Sequence, residues 1–430
     1  MKIYNNPPKI EWESLCKRGG SNNDEIKERV AQILSRVKAG GEAAVKEITE
    51  EIDGFCPAEF EVSAAEFEAA AAKVNQEVKD AIEVAYNNIY KFHNAQKRGD
   101  IKVETTPGVV CIQRPVAIKR VGLYIPGGSA PLFSTVLMLA IPAKIAGCSQ
   151  VIMCTPCNKN GEVAAEVLYT AQRCGVDKVF KIGGAQAIAA MAYGAGKVQK
   201  VSKIFGPGNR YVTAAKQIVS GECCAIDMPA GPSEVMILAD GSARAEFVAA
   251  DVLSQAEHGP DSQAMVVCNS QEVAEKVLEA TLEAAKKLSR TSCVEASLSS
   301  SRIIVFPAVS EIIEFADEYA AEHLIIQMEN PWDVANRISC AGSIFVGEWT
   351  PESAGDYASG TNHTLPTSGW AHSCSGVNLN SFIKMITLQQ ITFEGIASLA
   401  PSIMAMAEAE GLEGHANAAK VRVGKYYLQL

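Results

Sequence analysis

The sequence of 430 residues has no run of about 18 consecutive apolar residues, so no segment of it is expected to span a membrane as a helix. Its first residues, Met1-Lys2-Ile3-Tyr4-Asn5, carry no apolar stretch and no export signal. There is no basic excess. Thirty-nine Lys and Arg stand against 49 Asp and Glu, a net charge of −10, which argues against nucleic acid or a membrane surface as partner. There is no cysteine framework either. The 13 cysteines are odd in number and scattered, the pattern of a reducing compartment, and the expected location is cytoplasmic. Cys154 and Cys157 form one CxxC with no second pair to match. They close the apolar run Val151-Ile152-Met153, so thiols buried at a strand end are expected rather than a zinc or redox pair. The dinucleotide fingerprint G-x-G-x-x-G is incomplete: after Gly206-Pro207-Gly208 come Asn209, Arg210 and Tyr211.

What is present is ordinary globular composition, 48% hydrophobic and 20% charged, with length for two or three domains. The first hundred residues read as helices without evident chemistry. Ile26, Val30, Ile33, Leu34 and Val37 mark one apolar stripe, stopped at Gly40-Gly41. A second helix carries Val45, Ile48 and Ile52. Ser63 and Glu66 make a capping box for a third, which continues toward Ile89 and Phe92. His93 at its polar end reads as a surface histidine.

From residue 109 the texture changes. Val109–Ile112 and Val116–Ile118 are strand-like. Short apolar runs then alternate with helical patterns: Val121–Ile125, Val151–Cys154, Val179–Ile182 and Ile204-Phe205, three of them followed by Gly127-Gly128, Gly183-Gly184 and Gly206-Pro207-Gly208. This alternation predicts a doubly wound parallel sheet. Val235–Leu238 starts a second series, with strands expected at 264–268, 302–306, 324–326 and 343–346. The fold class is therefore α/β: two doubly wound units, Rossmann-like but with an incomplete fingerprint, and helical N-terminal and C-terminal extensions. The expected boundaries are 1–22 for an N-terminal extension, 23–122 with 234–376 for one α/β domain, 123–233 for the other, and 377–430 for a helical tail. The helical N-terminus is expected on the second series. The glycine turns fit a nucleotide site and plain tight turns equally, tilted slightly toward a ligand because carboxyl ends of parallel strands share one sheet edge.

The stretch Ser254–Ser262 closes a helical pattern at Gly259-Pro260 and sets Gln255 and His258 three residues apart on one face. An amide oxygen and an imidazole nitrogen so placed are half of a metal site, or else a helix cap and a surface pair. Five of the six histidines follow residue 250. Glu322-His323 joins a helix to a strand and offers two bases of different intrinsic strength, or else a histidine favoured by a helix C-terminus. Asp356 lies in the Gly-rich loop 353–360, followed by Asn362 and His363; that loop is either solvated or lines a site. Glu410 and His415 end the last long helix and need share no face.

At these residues the chain closely resembles the histidinol dehydrogenase family. The carrying motifs are Gly122-Leu-Tyr-Ile-Pro-Gly-Gly128, Ile204-Phe-Gly-Pro-Gly-Asn209, Asp227-Met-Pro-Ala-Gly-Pro-Ser-Glu234, Leu253-Ser-Gln-Ala-Glu-His-Gly-Pro-Asp-Ser-Gln263, Ala321-Glu-His-Leu324 and Ser359-Gly-Thr-Asn-His-Thr-Leu-Pro366. They extend over nearly the whole chain, in order. The resemblance implies oxidation of L-histidinol to L-histidine through bound L-histidinaldehyde, with two NAD⁺ reduced. It implies one zinc per subunit on Gln255, His258, Asp356 and His415, and the bases Glu322 and His323. Substrate contacts carry over to Ser233, His363 and Glu410 beside the zinc ligands and His323, and NAD contacts to Tyr124, Gln186 and Asn209. It further implies a domain-swapped homodimer in which the tail, with Glu410 and His415, completes the partner's site. The rival readings are a related dehydrogenase for an anionic sulfonated diol, for which Glu410 would have no purpose, a zinc hydrolase using Glu322, and a non-catalytic metal-binding protein.

Overall fold

The computed structural model describes residues 1–18, 24–127, 131–229 and 231–424. Gly128 and Ala230, both within motifs quoted above, lie outside these residues. The described strands, in chain order, are β1 (Lys2–Asn5), β2 (Ile101–Thr106), β3 (Val109–Ala117), β4 (Arg120–Tyr124), β5 (Gln150–Thr155), β6 (Lys178–Lys181), β7 (Lys203–Phe205), β8 (Ala225–Ile226), β9 (Glu234–Ala239), β10 (Gln263–Cys268), β11 (Arg302–Val305), β12 (His323–Gln327), β13 (Ser343–Val346) and β14 (Ile383–Ile391). The chain divides into one unit of residues 1–96 and 118–382 and another of 97–117 and 383–430.

The first unit holds two parallel sheets. One has the order β6-β5-β4-β7-β8, the other β1-β11-β10-β9-β12-β13. In each, the first strand of the series (β4 or β9) is central, and the chain winds outward to one side and then the other. Each sheet thus has a switch point, between β4 and β7 and between β9 and β12. The strands are legible because both faces are covered: β9 and β10 are buried at every residue, so they read as unbroken apolar runs. The short edge strand β1 pairs with β11, a position that the helical reading of the first hundred residues did not foresee.

The short helix Lys9–Cys16 packs Trp12 and Leu15 against the second sheet, beside Met236 and Ile304, as expected of the N-terminus, but the longer helices that follow cover the first. Asp24–Asp53, broken at Gly41 where φ is 56° and ψ −135°, packs its stripe Val30, Val37, Val45 and Ile48 into the cluster that holds Ile188 and Val212. Ile82 and Ile89 join a cluster with Leu137 and Leu168 on the same sheet. The expected grouping of 23–122 with 234–376 therefore differs from the packing. An amphipathic stripe announces that it will be buried, but not against what.

The second unit corrects two further expectations. Val109–Ala117 is one strand, not two, and residues 383–391 form β14, antiparallel to β3 with Ile383 opposite Ala117 and Ile391 opposite Val109. The tail is thus strand first and helix afterwards, Phe393–Ala409 and then Glu413–Val423. The β-branched Ile383, Ile386, Thr387 and Ile391 suit a pleated ladder, although their spacing also fits a helical stripe.

Candidate active site

Glu322 and His323 stand at the amino end of β12, where His323 is in register with Val235 of β9 and Ser343 of β13. Both side chains are buried. Glu322 accepts the Glu234 backbone N–H at 2.9 Å. The imidazole of His323 lies among three carboxyl groups: Nδ1 is 3.6 Å from Glu322 and 3.7 Å from Glu352, and Nε2 is 3.5 Å from Asp356. Neither ring nitrogen makes a hydrogen bond within the protein.

Glu352 and Asp356 reach the ring together because residues 352–357 form a short helix, where a loop was expected. Spacing of four places both on one face. Glu352 is almost wholly buried, and neither of its oxygens has a partner. Sequence reading missed it; the signal was its four-residue offset from Asp356.

The helix Ala245–Ala256 ends one residue after Gln255, with Glu257 as its C-cap. His258 therefore lies just past the helix rather than on its last turn, and its N–H donates to the Gln255 carbonyl at 3.2 Å, which keeps the two close. Gln255 is fully buried, with both amide atoms unpartnered. One ligand atom each from His258, Glu352 and Asp356 lies within 4.8 Å of the other two. His363 joins the group: its Nδ1 donates to the Asp356 carbonyl at 2.9 Å, and Nε2 is 3.2 Å from the Thr135 hydroxyl.

The electrostatics of this cluster are those of a site short of positive charge. Burial pushes Glu322 and Glu352 each up to about 8, with His323 opposing. Burial would lower His323, but Glu352, Glu322 and Asp356 outweigh it and carry it up to about 10. Asp356 resists its own burial and is held low, chiefly by His323. Too many carboxyls share one imidazole for all to ionise. A divalent cation would relieve that surplus, and it would also give the orphaned Gln255 amide a partner.

Asp251, one helical turn before Gln255, extends the acidic group. Its carboxyl accepts from Gln327 at 2.8 Å, and burial raises it to about 7. A carboxyl that holds its proton more tightly in the folded chain stabilises most at low pH, and that contribution is lost as pH rises from about 4 to 7. In Asp251→Asn, the fall in stability across that window should be shallower by up to about 1.4 kcal/mol per pH unit. Urea titrations of both proteins at pH 4, 5.5 and 7 would measure it; parallel stability profiles would refute it.

Two further groups were not legible. Arg18 makes a bidentate pair with buried Glu234, at 2.8 and 2.9 Å, and stacks on Tyr319 with its guanidinium carbon 3.8 Å from the ring centre. It thereby fixes the residue whose N–H holds Glu322. His93, expected at the surface, is fully buried; it lies 2.8 Å from the Ile89 carbonyl and 3.4 Å from the Asn362 amide. It anchors the residue next to His363.

The other cluster of expected residues lies at the carboxyl edge of the first sheet. Tyr124, Gln186 and Asn209 line a cavity of about 750 Å³. The Tyr124 hydroxyl accepts the Gly184 N–H at 3.1 Å, and burial raises it to about 12. Gln186 is buried, with its amide unpartnered. A second cavity, of about 600 Å³, is lined by Ser233, His258 and Arg18 and shares Pro126 and Asn209 with the first. Glu410 and His415 belong to the other unit, where both are exposed.

A doubly wound sheet with a large cavity at its switch point, joined through Pro126 and Asn209 to a second cavity that His258 lines, together with a buried acid–imidazole cluster, is the arrangement of an α/β enzyme. The chain belongs to the histidinol dehydrogenase family, whose model matches residues 16–423. It is 51% identical over 423 residues to histidinol dehydrogenase of Bacteroides thetaiotaomicron, covering 98% of this chain and 99% of that one. It is 50% identical over 426 residues to that of Vibrio cholerae, covering 98% of each. The crystal structure of histidinol dehydrogenase from Elizabethkingia anophelis superposes with a TM-score of 0.96 at 46% identity, over 99% of this chain and 98% of that chain. The family oxidises histidinol in histidine biosynthesis. Among the described residues, no helix is long and apolar enough to cross a membrane.

Proposed function

We propose that this chain is a cytoplasmic, zinc-dependent enzyme that takes L-histidinol to L-histidine through bound L-histidinaldehyde, reducing two NAD⁺. The observation that carries this reading is the buried His323 ring, without a hydrogen bond between carboxyl groups, together with the orphaned buried amide of Gln255. Gln255, His258 and Asp356 supply the amide, imidazole and carboxylate donors that suit zinc. His415 from a second copy is the fourth. The cofactor goes to the Tyr124, Gln186 and Asn209 cavity, and the substrate to Ser233, His363 and Glu410.

When bound, zinc supplies a cationic anchor for the substrate's imidazole and amine, and NAD⁺ the acceptor of the electrons. The chain's own residues do the rest. His323 removes the hydroxyl proton in the first oxidation. Glu322, whose carboxyl already accepts one backbone N–H, removes a proton from the water that hydrates the aldehyde. His323 returns its proton to the aldehyde oxygen as the water adds, and then takes a hydroxyl proton of the hydrate. A general base works best with a pKa near the operating pH, and a cation among the carboxyl groups would draw the raised His323 down toward it; holding the intermediate in one site gives the second step its high effective concentration. The test is direct: the protein with L-histidinol and NAD⁺ should form NADH. No NADH with L-histidinol, but reduction with an anionic diol, would overturn the assignment and leave Glu410 without a role.

The same reading makes the enzyme a homodimer whose tail, residues 377–430, completes the partner's site. His415→Ala and Glu322→Gln proteins, neither of which makes histidine alone, should recover histidine formation on subunit exchange, up to about a quarter of the active sites of a 1:1 mixture on statistical assortment. Absence of recovery from proven heterodimers would exclude the trans arrangement.

A further inference from the structure

The Gly206-Pro207-Gly208-Asn209 turn leaves β7 at the switch point, and its first residue is conformationally extreme. Gly206 has φ +124°, and a Cβ there would sit 2.1 Å from the Tyr124 carbonyl oxygen. The turn is thus pressed against the end of β4. Asn209 closes it by capping the helix Arg210–Glu222, accepting the N–H groups of Tyr211 and Val212 at 3.0 and 3.1 Å.

Nothing in the sheet holds such a turn, because the β7 ladder stops at Phe205. Two charged side chains do so instead. Lys216, on that helix, and Asp227, just after β8, form an ion pair with side chains 4% and 1% exposed. Lys216 donates to the Gly206 carbonyl at 2.7 Å, and Asp227 accepts the Gly206 N–H at 2.8 Å. The second Asp227 oxygen accepts the Met228 N–H at 2.8 Å. Both backbone groups of Gly206 are therefore satisfied by one buried ion pair. Asp227 also opens the segment that ends in Ser233 and Glu234, beside the catalytic cluster.

We propose that Lys216 and Asp227 are positioning residues for the cofactor: their ion pair pins the Gly206–Asn209 turn so that Asn209 and Tyr124 face the first cavity in register. This rests on the assignment of NAD⁺ to that cavity. An ion pair needed only for core stability could be replaced by apolar side chains of similar size, since such replacements in other proteins are neutral or stabilising. A pinning pair could not, because Gly206 would lose both partners.

The experiment measures NAD⁺ binding by calorimetry, and KM for each substrate, on the full chain for Asp227→Asn, Lys216→Arg and the double variant Lys216→Met/Asp227→Leu. Gln186→Leu is the control for the cavity itself. The expectation is that Asp227→Asn weakens NAD⁺ by about tenfold or more while KM for L-histidinol moves less than about twofold. Lys216→Arg keeps most of the affinity. The double variant leaves no unpaired ion in the core and stays folded at the assay temperature, melting lower because Gly206 has lost both partners, and it loses the affinity, so it decides the matter even if the single variants fold poorly. A folded double variant with unchanged NAD⁺ affinity, or equal losses for both substrates, overturns the proposal. If Gln186→Leu also leaves NAD⁺ binding unchanged, it is the cavity assignment that fails instead.

Discussion

Glu322→Gln should convert the enzyme from one that makes histidine into one that makes histidinaldehyde. The amide can still accept the Glu234 N–H, so the fold has no reason to change. It cannot take a proton from water, and loss of a general base typically costs about 10²–10⁴-fold. That loss should fall on the second half of the reaction, measured with L-histidinaldehyde supplied directly. The first oxidation depends on His323 and should fall by about tenfold or less, because removing one of the three carboxyl groups beside the ring (at 3.6 Å) lowers its affinity for a proton. His323→Asn, by contrast, should lose both halves by about 10²–10⁴-fold. Stability should be unchanged or raised in Glu322→Gln, since a carboxyl that burial has pushed to about 8 costs free energy at neutral pH. Equal losses on alcohol and aldehyde in Glu322→Gln would contradict the division of labour between the two bases.

Removing zinc should be the other large effect. Without a cation, Glu352, Asp356 and Glu322 must share the single imidazole of His323, and the Gln255 amide has no partner. Dialysis against a chelator should abolish activity and lower the melting temperature. Added Zn²⁺ should restore both, since a ligand held at a hundred times its Kd stabilises the native state by about 2.7 kcal/mol. His258→Ala should behave as the chelated protein does, with zinc content by elemental analysis falling in parallel. A chelated protein that keeps its turnover, or a His258→Ala protein that keeps its metal, would remove zinc from the account. Loss of zinc should also leave NAD⁺ affinity within about threefold, because the cavity proposed for it, around Tyr124, Gln186 and Asn209, is lined by other residues.

Both effects concern residues that could be picked from the sequence, and the reason is chemical. Parallel strands buried on both faces are written as continuous β-branched runs with glycine at their ends, so β4 to β7 and β9 to β13 stood out. Gln255 and His258 lie beside Gly259-Pro260, and Glu322 and His323 at the start of the apolar run Leu324–Ile326. What was hidden depended on partners distant in sequence. An apolar stripe does not name the sheet it covers, so the Asp24–Asp53 helix was assigned to the wrong neighbour. His93 looked solvent-facing because nothing local reveals that Asn362 reaches it. Glu352 was masked by reading 353–360 as a loop, and Arg18 by its distance from Glu234.

The rule that ligands gather at the carboxyl edge of parallel strands served the first sheet, where Tyr124 and Gln186 line the cavity. It would have misled for the second, where Ser233, Glu322 and His323 sit at the amino ends of β9 and β12. Only the return of the Ala245–Ala256 helix brings Gln255 and His258 to that same edge. The residues at 383–391 were ambiguous for a different reason: their apolar spacing fits both periods, and pairing with β3 decides for the strand.

The measurement to make first is the yield of NADH per L-histidinol consumed by the zinc-loaded protein, with histidine quantified in the same sample. Two NADH per histidine, with no aldehyde released, is the expected result for one site that carries out both oxidations. One NADH per histidinol, with histidinaldehyde accumulating in solution, would contradict it.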